Sequence, residues 1–179
     1  PIIERNTHVP VSRVKEYSPT HPQQKVIQLG VFQGEARMAA QNIRLGALSL
    51  KLPPGGGQHD RSVAVRFTYD VNGLLQVEAT IEQTGQTSAL VIEENPGVLT
   101  AEEIEARLAA LADLKVHPRD RMENRTTLAR AERLYEQLRG ARREWLAAAL
   151  VEFEATLGKQ DRKAADQHRA RLEERLDAI

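Results

Sequence analysis

The side chains best suited to metal binding or proton transfer are five histidines, His8, His21, His59, His117 and His168. They are scattered and have no partners at metal-ligand spacing, so they read as isolated surface groups. The chain has no cysteine, which excludes disulfides, thiolate metal sites and cysteine nucleophiles. Gly55-Gly56-Gly57 lacks the Gly-Lys-Ser/Thr ending of a phosphate loop and reads as a linker, and Gly158-Lys159 has the wrong neighbours. No Gly-x-Ser-x-Gly elbow occurs, and Ser12, Ser18, Ser49, Ser62 and Ser88 have no local catalytic context. Carboxylates are plentiful on the predicted helices, but they alternate with arginine as a solvated face does. No acid–base or nucleophile constellation is present, so neither an enzyme nor a bound cofactor is expected of this chain.

The charge balance narrows the partners. Lys plus Arg and Asp plus Glu are 25 each among 179 residues, so no net field draws the chain to nucleic acid or anionic membrane. Aromatics are only 4%, which argues against a base-stacking platform. No apolar run approaches the roughly 20 residues that span a bilayer. The absence of cysteine fits a reducing cytoplasm. The start Pro1-Ile2-Ile3-Glu4 has no signal-like core and is expected to be a boundary inside a larger protein.

Two halves with different grammar must position whatever the chain binds. Nine of the eleven glycines and seven of the eight prolines lie at or before Gly97, so a strand-and-turn half precedes a helical half. Ile27, Leu29 and Val31 alternate with Gln28 and Gly30. Val63, Val65, Phe67 and Tyr69 share a face, and Leu75, Val77 and Ala79 repeat the pattern after Asn72-Gly73. That dipeptide predicts a type I′ hairpin, with positive φ at both central residues. Gly85 marks a second tight connection before Ala89-Leu90-Val91-Ile92. Short turns of this kind predict an antiparallel sandwich. In the second half Thr100-Ala101-Glu102-Glu103 is a capping box, followed by Ile104, Leu108 and Leu111 at helical spacing. A helix carrying Leu128, Ala131, Tyr135 and Leu138 follows Pro118, and Gly140 offers a break. The next carries Leu146, Leu150, Phe153 and Leu157, with Gly158 suited to the C′ position. Asp161 caps a last helix carrying Leu172, Leu176 and Ile179. The fold class is α+β, an antiparallel β-sandwich over residues 1–97 followed by an α-helical bundle over 98–179.

Four motifs fall in one register: Glu4-Arg5-Asn6-Thr7-His8-Val9-Pro10-Val11, Val31-Phe32-Gln33-Gly34-Glu35, Asn42-Ile43-Arg44-Leu45-Gly46, and the run from Val65-Arg66-Phe67-Thr68-Tyr69-Asp70 to Ala79. Their order and spacing resemble the C-terminal substrate-binding domain of the seventy-kilodalton heat-shock chaperones, the DnaK family. Lys115-Val116-His117-Pro118-Arg119-Asp120 and Glu123-Asn124-Arg125 look most like its HscC-type branch. The resemblance implies a sandwich lacking the family's first strands, which grips short, extended, apolar segments of unfolded polypeptides beneath a helical lid. It implies peptide-binding positions at Tyr17, Thr20, Ile27, Leu29 and Val63: Ile27 and Leu29 line a central pocket, Tyr17 walls it, Val63 lies at its floor and Thr20 takes the arch position. The family's latch residue is replaced by Gln58, and Arg61 is the nearby candidate to substitute. A full-length parent is expected to use ATP and magnesium in a separate ATPase domain, with a J-domain co-chaperone and a nucleotide-exchange factor as partners.

On alternation alone Ile27 and Leu29 are ordinary core residues, and Leu146, Leu150, Phe153 and Leu157 are bundle core. The competing reading is a non-catalytic scaffold whose helical bundle docks a folded partner. With the first strands missing, self-association through an exposed sheet edge is also expected.

Overall fold

The computed structural model describes residues 1–54, 61–94 and 96–179. The linker Gly55-Gly56-Gly57, Gln58 and His59 therefore lie outside the described residues. The chain is α+β and divides into two compact units, Pro1–Lys115 and Val116–Ile179.

The first unit holds β1 (Val11–Tyr17), β2 (Val26–Gln33), β3 (Ile43–Lys51), β4 (Val63–Tyr69), β5 (Leu75–Ile81) and β6 (Thr87–Ile92), with helix α1 (Ala101–Ala110) after them. All strand pairings are antiparallel. One sheet has the order β1-β4-β5-β6, and the second is the pair β2-β3. Alternation along each strand sends one set of side chains inward. Ile27, Val31, Leu48 and Leu50 from the small sheet meet Val63, Val65, Val77, Ala79 and Ile81 from the large one in a single buried core. A Cβ on Gly46 would come within 2.6 Å of Leu90 Cδ2, so the bare glycine lets β6 seat its leucine against β3.

The β4–β5 connection differs from the expected type I′ turn. Only Gly73, at φ +85°, takes positive φ, and Asn72 does not. The cause is Asp70, whose Oδ1 accepts from the amides of Asn72 and Leu74, both at 2.7 Å. That carboxylate closes a wider loop, in which the Asp70 amide donates to Leu74 O at 3.0 Å. Between β5 and β6, Gly85 takes φ +69° and its amide donates to Ile81 O at 2.8 Å, so this tight connection forms where its glycine predicts.

The first unit extends beyond the compositional boundary at Gly97, because α1 and the 3-10 turn Ala112–Lys115 tie back to the strands. Arg107 Nη1 lies 3.7 Å from Asp70 Oδ2, and Lys115 Nζ lies 2.8 Å from Glu78 Oε2. The capping box that starts α1 is complete: Glu103 N donates to Thr100 Oγ1 at 3.2 Å, and Thr100 N donates to Glu103 Oε2 at 2.8 Å.

The second unit packs α2 (Met122–Gln137), α3 (Ala141–Gly158) and α4 (Arg162–Asp177) around Ala131, Leu146, Phe153, Leu157, Ala165, Leu172 and Leu176. Asp161 caps α4 by accepting from Ala164 N at 3.0 Å. Two local expectations are corrected. Gly158 is the last helical residue, and the left-handed position falls on Gln160 (φ 56°), because the helix winds on and Gln160 N reaches Leu157 O at 3.1 Å. Ile179 is exposed beyond the end of α4 and does not join the Leu172 and Leu176 stripe. The Asn124 motif has a physical role here: the fully buried side chain donates from Nδ2 to Pro118 O at 2.7 Å and accepts from Arg169 Nη1 at 3.4 Å.

Candidate peptide-binding site

Tyr17 ends β1 and stands opposite Val63 of β4, while Ile27 and Leu29 of β2 stand opposite Leu50 and Leu48 of β3. Ile27 and Val63 belong to the buried core of the first unit, and Tyr17 and Leu29 pack against it half-buried. The structure thus gathers four of the five expected residues into one apolar cluster. Their depths differ. Val63 is 0% exposed and Ile27 7%, so Val63 supports the cluster without presenting surface of its own, and Leu29 and Tyr17 carry its accessible edge. Burial pushes the Tyr17 phenol above its ordinary value. Lys15 Nζ lies 5.8 Å from the ring centroid.

Thr20 is placed differently. It is exposed on the loop of residues 18–25 that joins β1 to β2, outside the cluster. Its amide and hydroxyl both donate to Gln24 Oε1, at 3.0 and 3.1 Å, and Gln24 Nε2 donates to Val26 O at 2.8 Å. Arg61 is turned inward and is 3% exposed. Its Nη1 donates to Pro22 O and its Nη2 to Gln24 O, so the guanidinium is engaged with that loop. Sequence reasoning missed this contact and the part played by Gln24. Nothing local in the sequence signals that an arginine just ahead of an alternating strand is buried.

A separate groove of about 960 Å³ runs along α3 and α4, where Trp145, Ala149, Glu152, His168, Arg171 and Arg175 are among its lining residues. His168 Nδ1 lies 2.9 Å from Thr156 Oγ1 there, and the ring meets Phe153 edge-on at 5.5 Å. Among the described residues, no group of three or more His, Asp or Glu side chains could hold a metal ion, and no helix is long and apolar enough to cross a membrane.

These features define a class: an α+β protein in which antiparallel sheets carry an apolar cluster beside a hydrogen-bonded loop, with packed helices following. The chain belongs to the Hsp70 family, whose model, described as Hsp70 protein, matches residues 1–178. It is 37% identical over 139 residues to Chaperone protein dnaK1 of Parasynechococcus marenigrum, covering 74% of this chain and 21% of that protein. It is 34% identical over 142 residues to Chaperone protein DnaK of Mycoplasma mobile, covering 77% and 23%. With Chaperone protein DnaK of Mycoplasmopsis synoviae the identity is 29% over 179 residues, all of this chain and 28% of that protein. The chain therefore spans less than a third of the length of these curated relatives.

Proposed function

We propose that this chain is the substrate-binding region of an Hsp70-family chaperone of the HscC-like branch, holding short, extended, apolar segments of unfolded polypeptides. The observation that carries the reading is the convergence of Tyr17, Ile27, Leu29 and Val63 on one apolar cluster, with the Thr20 loop stapled alongside by Gln24. In this proposal residues 1–97 form the cradle, the two sheets act as a sandwich, and the helices act as a lid that slows release. The parent is a cytoplasmic chaperone in which a separate region binds and hydrolyses ATP with magnesium. A J-domain co-chaperone and a nucleotide-exchange factor act on that cycle.

The energetics set the kind of ligand. Ordering an extended segment costs roughly 1–2 kcal/mol per residue. Backbone hydrogen bonds to a cradle offset part of that cost without reading sequence. One leucine buried against Ile27 and Leu29 adds about 1.5–3 kcal/mol, which supplies a preference for apolar centres. Affinity is modest and tolerant of sequence, as recognition of unfolded chains requires.

Competition tests the reading. A permanently unfolded protein displaces a labelled leucine-centred peptide from this chain, and the same protein in its folded form does not. Displacement by the folded form alone would instead support the scaffold reading, which the α3–α4 groove favours. Self-association belongs to the same proposal, because β2 has one partner strand, β3, among the described residues. Light scattering over a concentration series reads it as a rising mass, and a constant monomer mass removes it.

A further inference from the structure

We infer that Arg61 is a positioning residue that fixes the loop of residues 18–25 beside the apolar cluster and so sets how long a bound segment stays; the inference rests on the peptide-binding reading above. Arg61 is 3% exposed, its two terminal nitrogens donate to the carbonyls of Pro22 and Gln24, and its Nε has no partner among the described residues. No ion pair to a carboxylate joins it among the described residues. Burying an arginine against neutral carbonyls is an expensive way to hold a fold, since an apolar side chain of similar volume is often as stable or more so. What the arginine supplies is geometry. Its planar fork bridges two carbonyls two residues apart, which a lysine ammonium, a single point donor, does not reproduce.

The loop is held from two sides. Arg61 ties it to the chain entering β4, where Ser18 Oγ also lies 3.4 Å from Ser62 Oγ. Gln24 ties it to Val26 O at the start of β2, one residue before Ile27, and the same amide receives both donors of Thr20. Thr20 is consequently placed by Gln24, and Gln24 by Arg61. A bound segment resting on Ile27 and Leu29 has this loop as a neighbour, so the order of the loop acts on escape more than on encounter.

The test compares the full chain with Arg61→Met and Arg61→Lys, using a fluorescent leucine-centred peptide, unfolding midpoints and amide hydrogen exchange. The expected result for Arg61→Met is an unfolding midpoint unchanged or raised, with peptide release about ten-fold faster. Exchange quickens across residues 20–25 while β4 is unaffected. Arg61→Lys keeps charge and length but loses the fork, and it also releases peptide faster. If Arg61→Met does not fold, Arg61→Lys carries the same comparison alone. Release at the wild-type rate from the folded variants overturns the positioning role and leaves the peptide-binding reading standing, as does full rescue by lysine. Failure of the wild-type chain to capture the peptide overturns that reading and this inference with it.

Discussion

Leu29→Asp abolishes capture of a leucine-centred extended peptide, lowering affinity by at least about thirty-fold, while the helical circular dichroism signal stays near wild type. The loss of one apolar contact of about 1.5–3 kcal/mol already accounts for roughly ten- to hundred-fold. A carboxylate at the cluster adds a desolvation cost whenever an apolar segment covers it. The substitution is informative because Leu29 is half-buried, so in the free chain its aspartate can remain hydrated at the edge. Ile27 and Val63 lie deeper, and a charge at either is expected to disrupt the shared core itself. Equal loss of fold and binding in Leu29→Asp assigns Leu29 to the core alone. Unchanged binding removes it from the site.

Phe153→Ala destabilises the helical unit by about 3–5 kcal/mol, the range for truncating a large buried aromatic side chain. Phe153 is fully buried between α3 and α4, with Leu146 and Leu157 from its own helix in the same core. Truncation also removes the edge-on contact with His168. The readout is specific, because the chain has one tryptophan and Trp145 packs against this core. Denaturant unfolding followed by its fluorescence therefore reports the second unit. A loss below about 1 kcal/mol would mean that the bundle closes over the gap and that Phe153 is not its keystone.

Periodic features were legible in the sequence because periodicity has a direct physical cause. The alternation in Val63 to Tyr69 and Leu75 to Ala79 predicts the strands that pair in register, and Thr100 with Glu103 predicts the start of α1. Alternation assigns a face but not a depth. It treats Ile27 and Leu29 alike, although one is buried and the other sits at the cluster edge. The third strand was harder to read. Leu48 and Leu50 alternate, but Gly46 and the register shift opposite Val31 and Phe32 put the front of the strand out of phase with them. The hairpin at Asn72-Gly73 was legible as a turn but not in type, because Asp70 supplies the cap from outside the dipeptide. The inward contact of Arg61 was not legible. Its partners, the carbonyls of Pro22 and Gln24, are almost 40 residues away in sequence, and local patterns carry no trace of such a contact.

The most direct test of the peptide-binding account is methyl NMR of the isotopically labelled chain titrated with an unlabelled leucine-centred peptide. The account predicts saturable shifts at the methyls of Thr20, Ile27 and Leu29, with the Tyr17 ring following the same titration. Shifts at Ala149, Ala164 and Leu172 along the α3–α4 groove, with those strand and loop groups unmoved, would contradict it and place binding on the helical unit.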